Sequence, residues 1–182
     1  MNFIRIGSKL LSRNKIMMAL DKILELRVQG YSQLEVAKLC GIDRSFISRL
    51  ETLGEVKRGN RVAVVGFPIQ NKVELHQILT ELGVEYILLL TEAERWRFFA
   101  NKDGTEVFNE LMRIVADLRG YDVVIFFGSD MRNSVIESVL GEKAITISIG
   151  ESPITEDVYL NPESVRKLVE KVRVKQVSKE RG

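Results

Sequence analysis

Four stretches of this 182-residue chain are apolar at nearly every position, and they constrain the fold more than any other feature. They run over 62–65 (Val-Ala-Val-Val), 84–90, 123–127 (Val-Val-Ile-Phe-Phe) and 144–149. A strand with one wet face alternates polar and apolar residues. The first three do not alternate, so both of their faces must be covered. Segments at 70–82, 92–100, 105–119 and 131–140 separate them and read as helices, two of which end at Gly83 and Gly141. Strands regularly interleaved with helices specify a parallel sheet with helices on both faces. Val158 to Leu160 is predicted to be a short edge strand. Pro162 opens a final helix, with Val165, Leu168, Val169 and Val172 on one face to cover the sheet or form a dimer. Residues 60–182 are therefore expected to form an α/β domain with a parallel, Rossmann-like sheet.

The pattern is different before residue 60. Ile16, Met17, Leu20, Ile23, Leu24 and Val28 recur at three- and four-residue steps, which is one apolar helical stripe. Gly30 stops that helix. Ser32 then takes the N-cap position, with Glu35 three residues on at the capping-box spacing. Leu34, Val36, Ala37 and Leu39 give the next helix its apolar face, and Cys40-Gly41-Ile42 is a tight turn. Asp43 is a second N-cap, and Phe46, Ile47, Leu50 and Leu53 furnish a third helix closed by Gly54. No strand is expected here, so residues 1–59 read as an all-α domain, with a short linker near 54–60.

Charge divides the chain at the same place. The formal net charge of +2 hides a net +5 over residues 1–60, −7 over 61–162 and +4 over 163–182. A basic front on an acidic body points to two domains with different partners. One cysteine, Cys40, and one histidine, His76, leave no disulfide framework and no Cys/His metal cluster. No apolar run approaches the roughly 18–20 residues of a membrane-spanning helix. The basic start lacks the long apolar core of a signal peptide, so a cytoplasmic protein is expected.

The segment YSQLEVAKLCGIDRSFISRLE, residues 31–51, resembles the helix-turn-helix of the Cro and phage-repressor (XRE-type) regulators. The resemblance rests on Ser-Gln at the start of the first helix, Val-Ala on its buried face, Gly-Ile in the turn and Ile-Ser-Arg-Leu-Glu in the second helix. Ala37 permits close helix approach, and Gly41 accommodates a positive φ. The resemblance implies that the helix over 43–53 enters a major groove, with Arg44, Ser45, Ser48 and Arg49 facing bases and Gln33 holding a phosphate. Lys57 and Arg58 follow as phosphate neutralisers. Such readers bind double-stranded DNA as homodimers. The XRE domain usually continues into two further helices, whereas here a strand is expected from Arg61.

In open parallel sheets, ligands lie beyond the carboxyl ends of the strands. The polar residues there are Asn71 and Lys72 after the first strand, Arg95 after the second, Ser129, Asp130 and Arg132 after the third, and Glu151 after the fourth. These are the candidate effector-binding residues. The Gly-Phe-Pro-Ile-Gln-Asn turn is neither a dinucleotide fingerprint nor a phosphate loop, and no cofactor is implied. Trp96, Phe98 and Phe99 are expected to pack their helix onto the sheet. The resulting expectation is a sequence-specific DNA-binding transcriptional regulator, not an enzyme, with a ligand-sensing or oligomerisation domain. The alternatives are an α/β enzyme for a nucleotide or phosphorylated metabolite with an appended DNA-binding domain, and a structural DNA-binding protein.

Overall fold

The computed structural model describes residues 3–56, 58–100 and 102–174, and the chain divides into two units between Glu55 and Val56. The division falls ahead of the expected linker's end because Gly59 and Asn60 are already tied into the second unit. Gly59 bridges Arg173 in parallel, and the Asn60 amide donates to Asp122 Oδ2 at 3.0 Å.

The first unit opens with an antiparallel hairpin, β1 (Phe3–Ile6) and β2 (Lys9–Ser12), followed by α1 (Arg13–Val28), α2 (Gln33–Cys40) and α3 (Arg44–Gly54). The hairpin corrects the all-α expectation. Its two four-residue strands flank Gly7-Ser8, a turn pair that favours hairpins. The alternation is hidden because apolar Phe3, Ile4, Ile6 and Leu10 all stay exposed, so no face is marked as buried. The capping box forms as the spacing requires. The Glu35 amide donates to Ser32 Oγ at 3.3 Å, and the Ser32 amide donates to Glu35 Oε2 at 2.7 Å. Those bonds hold the Glu35 carboxyl below its usual range. Asp43 occupies the N-cap of α3, but its side chain makes no capping bond. Gly41 ends α2 at φ 65°, in the left-handed region open to glycine without steric cost.

The core of this unit consists of Ile23, Val36, Ala37 and Ile47, with Leu26, Cys40, Ile42 and Leu50 packed around it. The apolar faces expected from spacing are wider than the buried ones. Ile16, Met17, Leu24, Val28, Leu34, Leu39, Phe46 and Leu53 all remain exposed.

The second unit contains β3 (Val62–Gly66), α4 (Lys72–Glu81), β4 (Tyr86–Leu89), α5 (Glu92–Ala100), α6 (Gly104–Leu118), β5 (Val123–Ser129), α7 (Asp130–Leu140), β6 (Ala144–Gly150) and α8 (Pro162–Val172). The four strands form a parallel sheet in the order β4-β3-β5-β6. Every residue of β3 and β5 is buried, which is why those runs show no alternation. One face presents Val62, Val64, Val123, Ile125 and Phe127 to Leu75 and Leu79 of α4 and to Val165, Val169 and Val172 of α8. The last helix thus covers the sheet. The other face presents Ala63, Val65, Val124 and Phe126 to Leu118 of α6 and Leu140 of α7. Each side chain buried this fully contributes about 1.5–3 kcal/mol. The expected edge strand at 158–160 reduces to a single parallel bridge between Val158 and Ile69.

Gly128 marks a close approach in this sheet, because a Cβ there would lie 2.4 Å from Phe126 Cε1. Gly128→Ala is expected to destabilise the protein by about 1–3 kcal/mol through overpacking. Gly104→Ala, where nothing lies within 4 Å, is expected to be close to neutral. Urea unfolding of both variants checks the pair.

Candidate functional site

The outer surface of α3 carries Arg44, Ser45, Ser48 and Arg49, all exposed, while Ile47 faces the core and is fully buried. Positions 44, 45, 48 and 49 stand three and four residues apart, so they form one stripe. A polar chain links this stripe to the other two helices of the unit. Arg27 Nε on α1 donates to Glu51 Oε1 at 2.5 Å, and Gln33 Nε2 on α2 donates to Glu51 Oε2 at 2.7 Å. Gln33 Oε1 in turn accepts from Arg44 Nε at 3.4 Å. Gln33 is therefore engaged inside the protein at both ends of its amide and orients Arg44. Arg27 also donates to the Tyr31 carbonyl. The Glu51 carboxyl is held below its usual range, first by the Arg27 hydrogen bond and then by the Gln33 bond. Glu51 stands in the sequence as the last residue of the Ile-Ser-Arg-Leu-Glu match, but its pairing with Arg27 and Gln33 has no sequence signal because those partners lie on other helices. Arg58 is exposed and belongs to the second unit, and Lys57 lies outside the described residues.

The candidates at the strand ends separate into two groups. Asn71 and Lys72 are bonded within the protein. Asn71 Nδ2 donates to the Leu160 carbonyl at 2.9 Å, and its Oδ1 accepts from the Leu160 amide at 3.1 Å, which pins the segment ahead of α8. Lys72 Nζ is paired with Glu94, which also accepts from the Thr91 amide at 3.0 Å and so ties α4 to the start of α5. Asp130 Oδ1 accepts from the Ser152 amide at 2.9 Å. Glu151 is exposed. Ser129 is fully buried at the N-cap of α7, and its Oγ has no hydrogen-bond partner.

Arg95 and Arg132 behave differently. Both line a cavity of about 510 Å³ between the sheet and helices α5, α6 and α7. Val65 and Phe67 contribute from β3 and its end, Leu88 and Leu90 from β4 and its end, and Phe126 from β5. The helices add Trp96, Phe98 and Phe99, then Leu111, Ile114, Val115 and Leu118, and then Met131, Val135 and Ile136. Among the described residues, the two arginines are the only charged side chains in this lining. Arg95 Nη2 donates to Glu92 Oε1 at 2.6 Å, an oxygen that also accepts from Trp96 Nε1 at 2.8 Å. Arg132 stands 5.4 Å over the Phe67 ring, and Arg95 stands 5.6 Å over Trp96. Nη1 of each arginine is buried without a hydrogen-bond partner. Burial and, secondarily, the charge of Arg95 lower the pKa of Arg132, opposed by Glu92.

The aromatic residues of α5 correct the expectation that they pack the helix on the sheet. No residue of α5 is buried, and Trp96 is 64% exposed at the edge of the cavity. On α6, Leu111, Ile114, Val115 and Leu118 form a regular apolar stripe, yet only Leu118 is buried. Such a stripe reads from sequence as packed against a sheet, so the cavity under it has no sequence signal.

Among the described residues no helix is long and apolar enough to cross a membrane, and no group of three or more His, Cys, Asp or Glu is placed to hold a metal ion. The chain matches no protein-family description, no curated protein and no solved structure.

The depressed Glu51 carboxyl carries a pH dependence. A carboxyl lowered on folding contributes stability that is full above its unfolded value, about 4.3, and is lost as pH falls through the lower folded value. The stability difference between wild type and Glu51→Ala is therefore expected to be constant near neutral pH and to shrink below about pH 4. Denaturation midpoints measured between pH 7 and pH 3 check this.

Proposed function

We propose that this chain is a sequence-specific DNA-binding transcriptional regulator that acts in the cytoplasm as a homodimer, with its α/β unit serving to sense a small molecule. The observation that carries this reading is the exposed Arg44-Ser45-Ser48-Arg49 stripe on α3, backed by the buried Ile47 and braced through Gln33 and Glu51. A short helix whose N-terminal half presents two arginines and two hydroxyls suits insertion into a major groove. An arginine there reaches guanine O6 and N7 together, worth about 1–3 kcal/mol of discrimination. The unit's net positive charge supplies the sequence-independent attraction to phosphates.

The small buried core of this unit supports a homodimer. Among the described residues, four buried side chains are a small core for a unit of this length. Phe3, Ile6 and Leu10 of the hairpin and Met17 and Met18 of α1 are 55–71% exposed. An isolated two-stranded hairpin is marginal in water. A second copy laid on the hairpin and α1 covers these side chains and pairs the two readout helices with two half-sites.

Binding to genomic fragments, followed by fluorescence anisotropy, tests the reading. Arg44→Ala and Arg49→Ala are each expected to weaken sequence-specific binding roughly 5- to 150-fold, the equivalent of about 1–3 kcal/mol. Arg58→Ala is expected to weaken all sequences alike and to reduce the slope against log salt by about one. Specific binding that survives the double substitution of Arg44 and Arg49 sinks the assignment of the readout face.

A further inference from the structure

We propose that the cavity bounded by α5, α6 and α7 binds an apolar monocarboxylate, its carboxylate held by Arg95 and Arg132 and its hydrocarbon body among the side chains of the sheet and α6. This deepens the sensing part of the function proposed above and rests on it. Binding is read without DNA, so its failure is separable from a failure of DNA recognition.

The chemistry of the lining defines the ligand. Among the described residues, the wall apart from the two guanidinium groups is made of apolar and aromatic side chains, so most of the occupant must be apolar. Its volume, about 510 Å³, falls within the roughly 300–1,000 Å³ of small-molecule sites. The exposed Trp96 and Met131 at its edge leave a route from solvent. A buried donor left unpaired costs free energy, more so when it is charged. Here two such donors, Nη1 of Arg95 and Nη1 of Arg132, belong to the only two charged residues of the wall among the described residues.

The charge balance fixes the ligand's valence. Glu92 neutralises one arginine through its 2.6 Å bond to Arg95, while Arg132 forms no ion pair among the described residues. The uncompensated charge is one positive, which a monoanion balances and a phosphate dianion exceeds. A carboxylate presents two oxygens in a plane, the geometry that a guanidinium recognises by two parallel hydrogen bonds. Stacking of Arg132 over Phe67 and of Arg95 over Trp96 orients both groups in the absence of an anion. Glu92 Oε2 is also buried without a partner, but Glu92 is not part of the lining.

The position in the fold agrees. The chain enters the sheet at β3, adds β4 on one side and β5 on the other, and so reverses its strand order there. Ligands of open α/β sheets sit at such a reversal, beyond the carboxyl ends of the strands. Phe67 and Leu90 immediately follow β3 and β4, and Arg132 lies in the first turn of α7 after β5.

Isothermal titration calorimetry of the full chain with decanoate, against decanol as the uncharged analogue, tests the proposal. Decanoate is expected to bind saturably at one per chain and at least tenfold more tightly than decanol. The double variant Arg95→Gln/Arg132→Gln is expected to reduce decanoate binding to the level of decanol and to leave decanol binding unchanged. Because removing buried charges can disturb folding, Leu111→Trp provides a second arm. It fills the cavity from the partly exposed side of α6, and is expected to abolish binding of both compounds with the melting temperature retained. Equal binding of decanoate and decanol, decanoate binding indifferent to both variants, or no binding of either compound to the folded chain overturns the proposal. In the last case, a dimer that Leu111→Asp dissociates would assign the α6 face to a second copy instead.

Discussion

The parallel pairing of β3 with β5 is the constraint on which the second unit depends. Both strands are buried at every position, so they demand a helical layer on each side. Helices α4 and α8 complete one layer tightly, with Leu75, Leu79, Val165 and Val169 at or near zero exposure. The other layer is looser. The connection from β4 to β5 must pass over β3, because β3 lies between them in the sheet. Helices α5 and α6 make that passage, and they leave a cavity above Val65 and Phe126 instead of filling it. Topology places the space, and the two arginines give it a chemical preference.

In the first unit, polar bonding takes over part of the work that hydrophobic burial does elsewhere. Its core is small, and the three helices are additionally joined by the chain Arg27–Glu51–Gln33–Arg44. The same residues that hold the helices together end at the face proposed to read DNA. A change in Glu51 is therefore felt by Arg44 without any contact between the two. Gln33, assigned to a phosphate by resemblance alone, bonds Glu51 and Arg44 through its amide within the protein.

Much of this was legible in the sequence, for identifiable physical reasons. Short apolar runs such as Val-Ala-Val-Val over 62–65, bounded by turns and helices, read as strands covered on both faces. The Ser32–Glu35 spacing and Gly41 fix the ends of α2 through local chemistry. The hairpin has little sequence signal, because Phe3, Ile4, Ile6 and Leu10 lie on no buried face and Gly7-Ser8 marks only its turn. The bonds of Asn71 to Leu160 and of Lys72 to Glu94 have no sequence signal, because the fold alone brings those partners near. Arg95 and Arg132 were legible as residues beyond strand ends. Their convergence on one cavity was not, since it depends on how far α6 stands from the sheet.

The central claim is that the exposed face of α3 reads a DNA sequence. Selection of bound duplexes from a random pool by the full chain, over several rounds at moderate salt, tests it most directly. The account predicts enrichment of one motif as two inverted half-sites about one helical turn apart, roughly 10–10.5 base pairs centre to centre or a multiple of it. A pool that stays random after selection, whether retained or lost, would contradict it.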